Sequence, residues 1–103
     1  MIEIFVDKII NHKTWHLDLF FDENWTCKSN IFSYGHDIET SWLLDEAAQV
    51  LGNKKLYEQV KTVCVHLAEA AAEGLNEKGG LMNEKNCEIN HLDSNCDWWP
   101  QAE

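Results

Sequence analysis

A histidine, two carboxylates and an indole fall close together at His36, Asp37, Glu39 and Trp42. On a helical backbone, at about 100° per residue, positions 36, 39 and 42 follow one another along one face. That face carries a titratable imidazole, a carboxylate able to orient or charge it, and a flat apolar plate. An imidazole suits proton transfer because its ordinary pKa of about 6.5 leaves both protonation states accessible near neutrality. An indole suits the C–H face of a pyranose, so the set is one that proton chemistry on a sugar would use. On the residues alone, His36 reads equally as a helix-terminal histidine satisfied by its neighbours. Glu39 has a lesser alternative as a first-turn carboxylate favoured by the helix dipole.

The element that must position these groups is a helix of about four turns over 37–52, with Asp37 as N-cap, Gly52 as C-terminal stop and no Gly or Pro between them. Leu43, Leu44, Ala47, Ala48, Val50 and Leu51 cover one broad side, while Ile38 and Trp42 lie on another. Such a helix is expected to be buried between other elements. A second helix over 54–73 carries a single stripe of Leu56, Val60, Val63, Leu67 and Ala70 or Ala71. The short Gly52-Asn53 link makes the two antiparallel, a wide-faced inner helix against a one-stripe outer helix. A plain two-helix hairpin predicts the same pattern.

Elsewhere the signals are shorter. Ile2, Phe5, Val6, Ile9 and Ile10 have helical spacing, which predicts the last turns of a helix over 2–10. Trp15, Leu17, Leu19 and Phe21 alternate with other residues and are followed by Asp22-Glu23-Asn24, which predicts a β-hairpin closing at Trp25-Thr26-Cys27. Residues 29–34 read as a loop, and 81–83 with 87–89 as a second, weaker hairpin before a polar loop over 90–97. Trp98-Trp99-Pro100 opens a further helix, since Pro fits a first turn.

Gly35-His36-Asp37-Ile38-Glu39 followed by Ser41-Trp42-Leu43-Leu44, with Trp98-Trp99-Pro100-Gln101-Ala102-Glu103 at the far end, closely resembles the N-acylglucosamine 2-epimerase family. Within it the pattern is most similar to the branch acting on β-1,4-linked disaccharides such as cellobiose. The resemblance covers essentially the whole chain. It implies a mainly α fold, a fragment of an (α/α)6 barrel with one complete antiparallel inner/outer helix pair and flanking β-hairpins. The chain is then a single partial domain over 1–103, an internal piece of such an enzyme. It further implies reversible epimerisation at C2 of a reducing-end sugar, an isomerase activity needing one proton carrier on each side of C2. By the same resemblance His36 and Glu39 are catalytic, Trp42, Trp99 and Glu103 bind substrate, and no cofactor or metal is required. The second family histidine has no counterpart here, so the chain alone is expected to be inactive.

The remaining histidines match no motif of the family. His66 is expected to be structural, and His12, His16 and His91 to face solvent. Asp37 reads as a cap and Trp98 as packing. Five tryptophans are more large rings than a core of this size takes, which places some of them along a cleft. A chain of 103 residues buries roughly 60 to 70% of its unfolded surface, enough for a modest core.

A net charge of −10 excludes a nucleic-acid partner and is indifferent to a neutral sugar. No apolar run is long enough to span a membrane, and 2–10 is interrupted by Glu3, Asp7 and Lys8, which argues for a cytoplasmic protein. Of the four cysteines, Cys64 reads as a buried thiol. Cys87, His91 and Cys96 can be drawn as zinc ligands, but their spacing fits no common module and a fourth ligand is missing, so metal is not expected. Three rival readings remain at this point: an N-acylglucosamine 2-epimerase, a non-catalytic carbohydrate-binding piece, and a helical module whose apolar faces self-associate.

Overall fold

The computed structural model describes residues 2–28 and 30–103. In chain order it contains α1 (Ile2–Ile4), continued by a π-helical turn (Phe5–Ile9), then β1 (Ile31–Ser33), α2 (Tyr34–Leu51), α3 (Lys54–Ala72), β2 (Glu84–Asn86), β3 (His91–Asp93) and α4 (Trp98–Ala102). The fold is mainly helical with one small antiparallel sheet.

The helix pair is the frame. Gly52 takes the left-handed conformation at φ 71° that a residue with a side chain resists, and it closes α2. Asn53 caps α3 by accepting the Leu56 N–H at 3.1 Å. Tyr34, at the start of α2, lies against Gly74 just beyond the end of α3, so the helices are antiparallel as expected. Leu44 and Ala48 of α2 meet Val60, Cys64 and Leu67 of α3 in a core that Ile2, Ile10 and Leu17 extend. The outer-helix stripe thus lies where its period placed it. The broad side of α2 does not: Leu43, Val50 and Leu51 remain exposed in this chain, around a groove of about 750 Å³ that Ile2, Phe5 and Leu56 also line.

The N-terminus of α2 corrects the expected cap. Ser33, not Asp37, is the N-cap, and its side chain accepts the His36 N–H. The helix therefore begins at Tyr34, and Asp37 lies inside it, fully buried. Residues 31–33 are not a loop but β1, which pairs with β2 in the register Ile31 with Asn86 and Ser33 with Glu84. Ser29, at the start of the expected loop, lies outside the described residues. β2 pairs in turn with β3, Glu84 with Asp93, so the second hairpin exists but lies a few residues beyond its expected place. Asn90, with φ 50°, sits in its turn. The sheet order is β1-β2-β3.

The first hairpin is not formed. Between 10 and 28 the structure shows only isolated bridges, Ile10 with Leu17 and Phe21 with Cys27. Trp15, Phe20 and Trp25 have φ near 60°, which breaks the extended alternation. His16 and Leu17 are adjacent and both buried, a pattern a half-buried strand cannot give. The segment is held as a loop by side chains instead. Asn11 and Asp22 close its two turns by accepting nearby backbone N–H groups.

Candidate functional site

Ser33 ends β1 with its hydroxyl buried, and the Tyr34 N–H that follows donates to the Asn83 carbonyl, so the sheet fixes where the helix starts. From that cap the His36 ring projects outward, its Nδ1 2.6 Å from Ser33 Oγ. The edge-on indole of Trp99, with ring centroids 5.0 Å apart, flanks the imidazole. Trp99 belongs to α4, and it can come so near because Gly35 has no side chain. A Cβ at Gly35 would stand 2.6 Å from the Trp99 ring and 3.1 Å from Pro100.

One and a half turns further along α2, the Trp42 indole donates from Nε1 to the Glu103 carboxylate at 2.5 Å. His36 to Trp99 and Trp42 to Glu103 are thus two cross-links between α2 and the C-terminal stretch over 99–103, with half-buried Glu39 between them on α2. The two motifs, 61 residues apart at Trp42 and Glu103, meet along one line. His36, Trp42 and Glu103 are exposed and Trp99 is half-buried, so the row is open to solvent. Trp98 points away. It is 82% exposed, so it does not pack as expected, while the neighbouring Trp99 ring lies on Gly35.

Behind the row lies a buried histidine–carboxylate pair, His16 with Asp37. His16 is 2% exposed, not solvent-facing as expected. Its Nδ1–H donates to Asp37 Oδ2 at 2.6 Å and its Nε2 lies 3.1 Å from a Glu73 carboxylate oxygen. Phe32 stacks on the ring at 4.1 Å and Tyr34 meets it edge-on. The second Asp37 oxygen accepts the Leu17 N–H at 2.8 Å. Burial raises the Asp37 pKa above its ordinary 3.8, an effect that the hydrogen bonds from His16 and Leu17 oppose without reversing. Tyr34 is likewise raised, first by burial and then by Glu73. His66 stacks on Trp15 with ring centroids 4.4 Å apart.

Two of these features were missed at the sequence level, although each left a trace. Asp37 falls in the row Asp37, Ser41, Leu44, Ala48, every member of which is buried. A carboxylate in the core row of a helix demands a buried donor. Nothing in the spacing said that the donor would be His16. Ser33 had a signal too, since a serine three residues before a histidine at a helix start can meet it through cap and ring alike.

Among the described residues no three His, Cys, Asp or Glu side chains converge as a metal site, and Cys64, Cys87 and Cys96 form no disulfide. Cys64 is buried, its thiol pushed up to about 11 by desolvation.

No protein-family model matches the chain. Among curated proteins it is 48% identical over all 103 residues to the cellobiose 2-epimerase of Bacteroides fragilis, and 41% identical over the same length to that of Dictyoglomus turgidum. The chain is a relative of the cellobiose 2-epimerases. It spans about a quarter of the length of these relatives, 26% in both cases. Solved structures agree. A sugar epimerase from a ruminal bacterium superposes with a TM-score of 0.91 at 33% identity, covering 98% of this chain and 25% of that one. Cellobiose 2-epimerase from Bacillus thermoamylovorans superposes with 0.89 at 31%, covering 97% and 25%. The resemblance read from the two motifs is thereby shown, and the similarity to these epimerases extends over both of them, together with the helix pair and the sheet between.

Proposed function

We propose that the chain is part of a sugar 2-epimerase, a partial domain contributing one inner/outer helix pair to an (α/α)6 barrel. The observation that carries this reading is the meeting of the two motifs. An imidazole against one indole and a second indole bonded to a carboxylate line one open edge of α2, in a chain related throughout to cellobiose 2-epimerases.

The substrate is the reducing-end unit of a β-1,4-linked disaccharide such as cellobiose. After ring opening, a base removes the C2 proton beside the C1 carbonyl, a cis-enediolate forms, and a proton returns to the opposite face to exchange glucose for mannose configuration. His36 is one of the two proton carriers, and its partner belongs to another part of the barrel. With the imidazole held by Ser33, Glu39 is assigned to a sugar hydroxyl. Trp42 and Trp99 offer their faces to the sugar, and Glu103, oriented by the Trp42 N–H, binds a second hydroxyl. Hydrogen bonds and imidazolium meet the charge of the enediolate, with no cofactor. A cytoplasmic setting agrees with Cys64, Cys87 and Cys96 being thiols.

The test is a chimera in which this chain replaces its counterpart in the Bacteroides fragilis enzyme. The chimera is expected to convert cellobiose to the mannose-terminated disaccharide, and the chain by itself to leave cellobiose unchanged. A folded but inactive chimera would overturn the reading.

A further inference from the structure

Ser33 does more than cap α2. Its hydroxyl is the hydrogen-bond partner of the His36 ring at 2.6 Å, and it also takes the backbone N–H of the same residue at 3.5 Å. Two contacts to one residue, from a serine that is only 6% exposed, leave the imidazole little freedom to turn. The oxygen is itself fixed from outside the helix. Ser33 is in register with Glu84 of β2, and the next residue bonds to Asn83. On another side Trp99 limits the ring and is seated on Gly35.

We propose that Ser33 is a positioning residue for His36. Its Oγ accepts the Nδ1–H, holds the neutral ring in that tautomer and leaves the Nε2 lone pair facing the open row. This rests on the epimerase reading, in which His36 must both take and return a proton. A base acting through Nε2 needs its proton on Nδ1, and free imidazole prefers the opposite tautomer, so something must hold it there. A hydroxyl suits a reversible transfer better than a carboxylate would. It orients the ring without the negative charge that would make imidazolium reluctant to give its proton back. The β1 strand thus reaches the chemistry through one oxygen.

The experiment reads the tautomer directly, by long-range proton–nitrogen correlation spectra of the 15N-labelled chain at a pH where the ring is neutral, with His36 assigned from the signal lost in H36N. The native chain is expected to show a protonated Nδ1 and an unprotonated Nε2 at His36. S33T, which keeps the hydroxyl, should preserve that pattern. S33G should lose it to the Nε2–H form, while backbone shifts confirm that α2 persists, since Gly is itself an adequate N-cap. An Nε2–H ring in the native chain, or an unchanged tautomer in a folded S33G, would overturn the proposal. Neither result depends on turnover. An inactive chimera with the Nδ1–H ring intact would therefore count against the epimerase reading alone.

Discussion

Asp37 and His16 meet at 2.6 Å in the interior, and that contact ties the loop over 11–28 to the helix that bears the candidate site. Asp37 has no exposed surface, and both of its oxygens accept hydrogen bonds from this loop. Removing it leaves the buried His16 Nδ1 and the Leu17 N–H unpaired together. D37A is expected to destabilise the chain by about 3 kcal/mol or more, the usual consequence of breaking a buried pair, measured by urea denaturation.

The same residue sets a pH dependence. Burial is the main influence on the Asp37 carboxyl and raises its pKa, so the folded state holds its proton more tightly than the unfolded chain. Its contribution to stability is then fully present below the ordinary value of 3.8 and is lost as pH rises through the higher folded value. Relative to D37N, the native chain should lose stability over that interval. A difference that stays constant with pH would show that burial does not govern this carboxyl.

Gly35 should not tolerate a side chain. In G35A the new methyl would enter the Trp99 ring. Alanine favours the helix by about 1 kcal/mol, but overpacking against a ring of that size costs about 1 to 3 kcal/mol. The expected result is that α4 moves away from α2. The ring contact between His36 and Trp99 would then be lost from NMR spectra while the α2 and α3 signals persist.

Thiol chemistry separates the cysteines. Cys87 and Cys96 are exposed and Cys64 is buried with its ionisation delayed to about 11. A thiol reagent at neutral pH should modify the exposed pair quickly and Cys64 only on unfolding. Because the folded pKa is raised from 9.0, the stability tied to this thiol is complete below 9.0 and declines as pH climbs towards 11. C64A should remove that decline.

The uncovered side of α2 makes a prediction about association. Leu43, Val50 and Leu51 are exposed around an apolar groove, and surfaces of this kind draw partners or copies together. The mass of the chain in solution is expected to rise with concentration, and the double change V50K and L51K to suppress the rise without altering helical content.

The long helices were legible because their periods are long. The 54–73 expectation needed only Val60, Leu67 and their row, and α3 runs from Lys54 to Ala72. The chemistry-bearing motifs were legible as strings, and the structure joins them at His36 with Trp99 and Trp42 with Glu103. The loop over 11–28 was not. Its alternation of large residues mimics a strand, while its real conformation is dictated by Asp37, twenty residues away at Leu17. The cap was misplaced for the same reason. Asp37 is a good cap by type, but a buried donor set claims its carboxylate, and Ser33, fixed by a strand too short to be read, caps the helix instead.

The account centres on His36 as a proton carrier, and solvent deuterium tests that most directly. The chimera should be incubated with cellobiose in heavy water and the product examined by NMR at C2 of its mannose-type reducing end. Deuterium at that carbon, abolished in H36N while the protein still folds, is the predicted result. A mannose-type product that keeps its original C2 proton, or labelling that continues undiminished in H36N, would contradict the assignment.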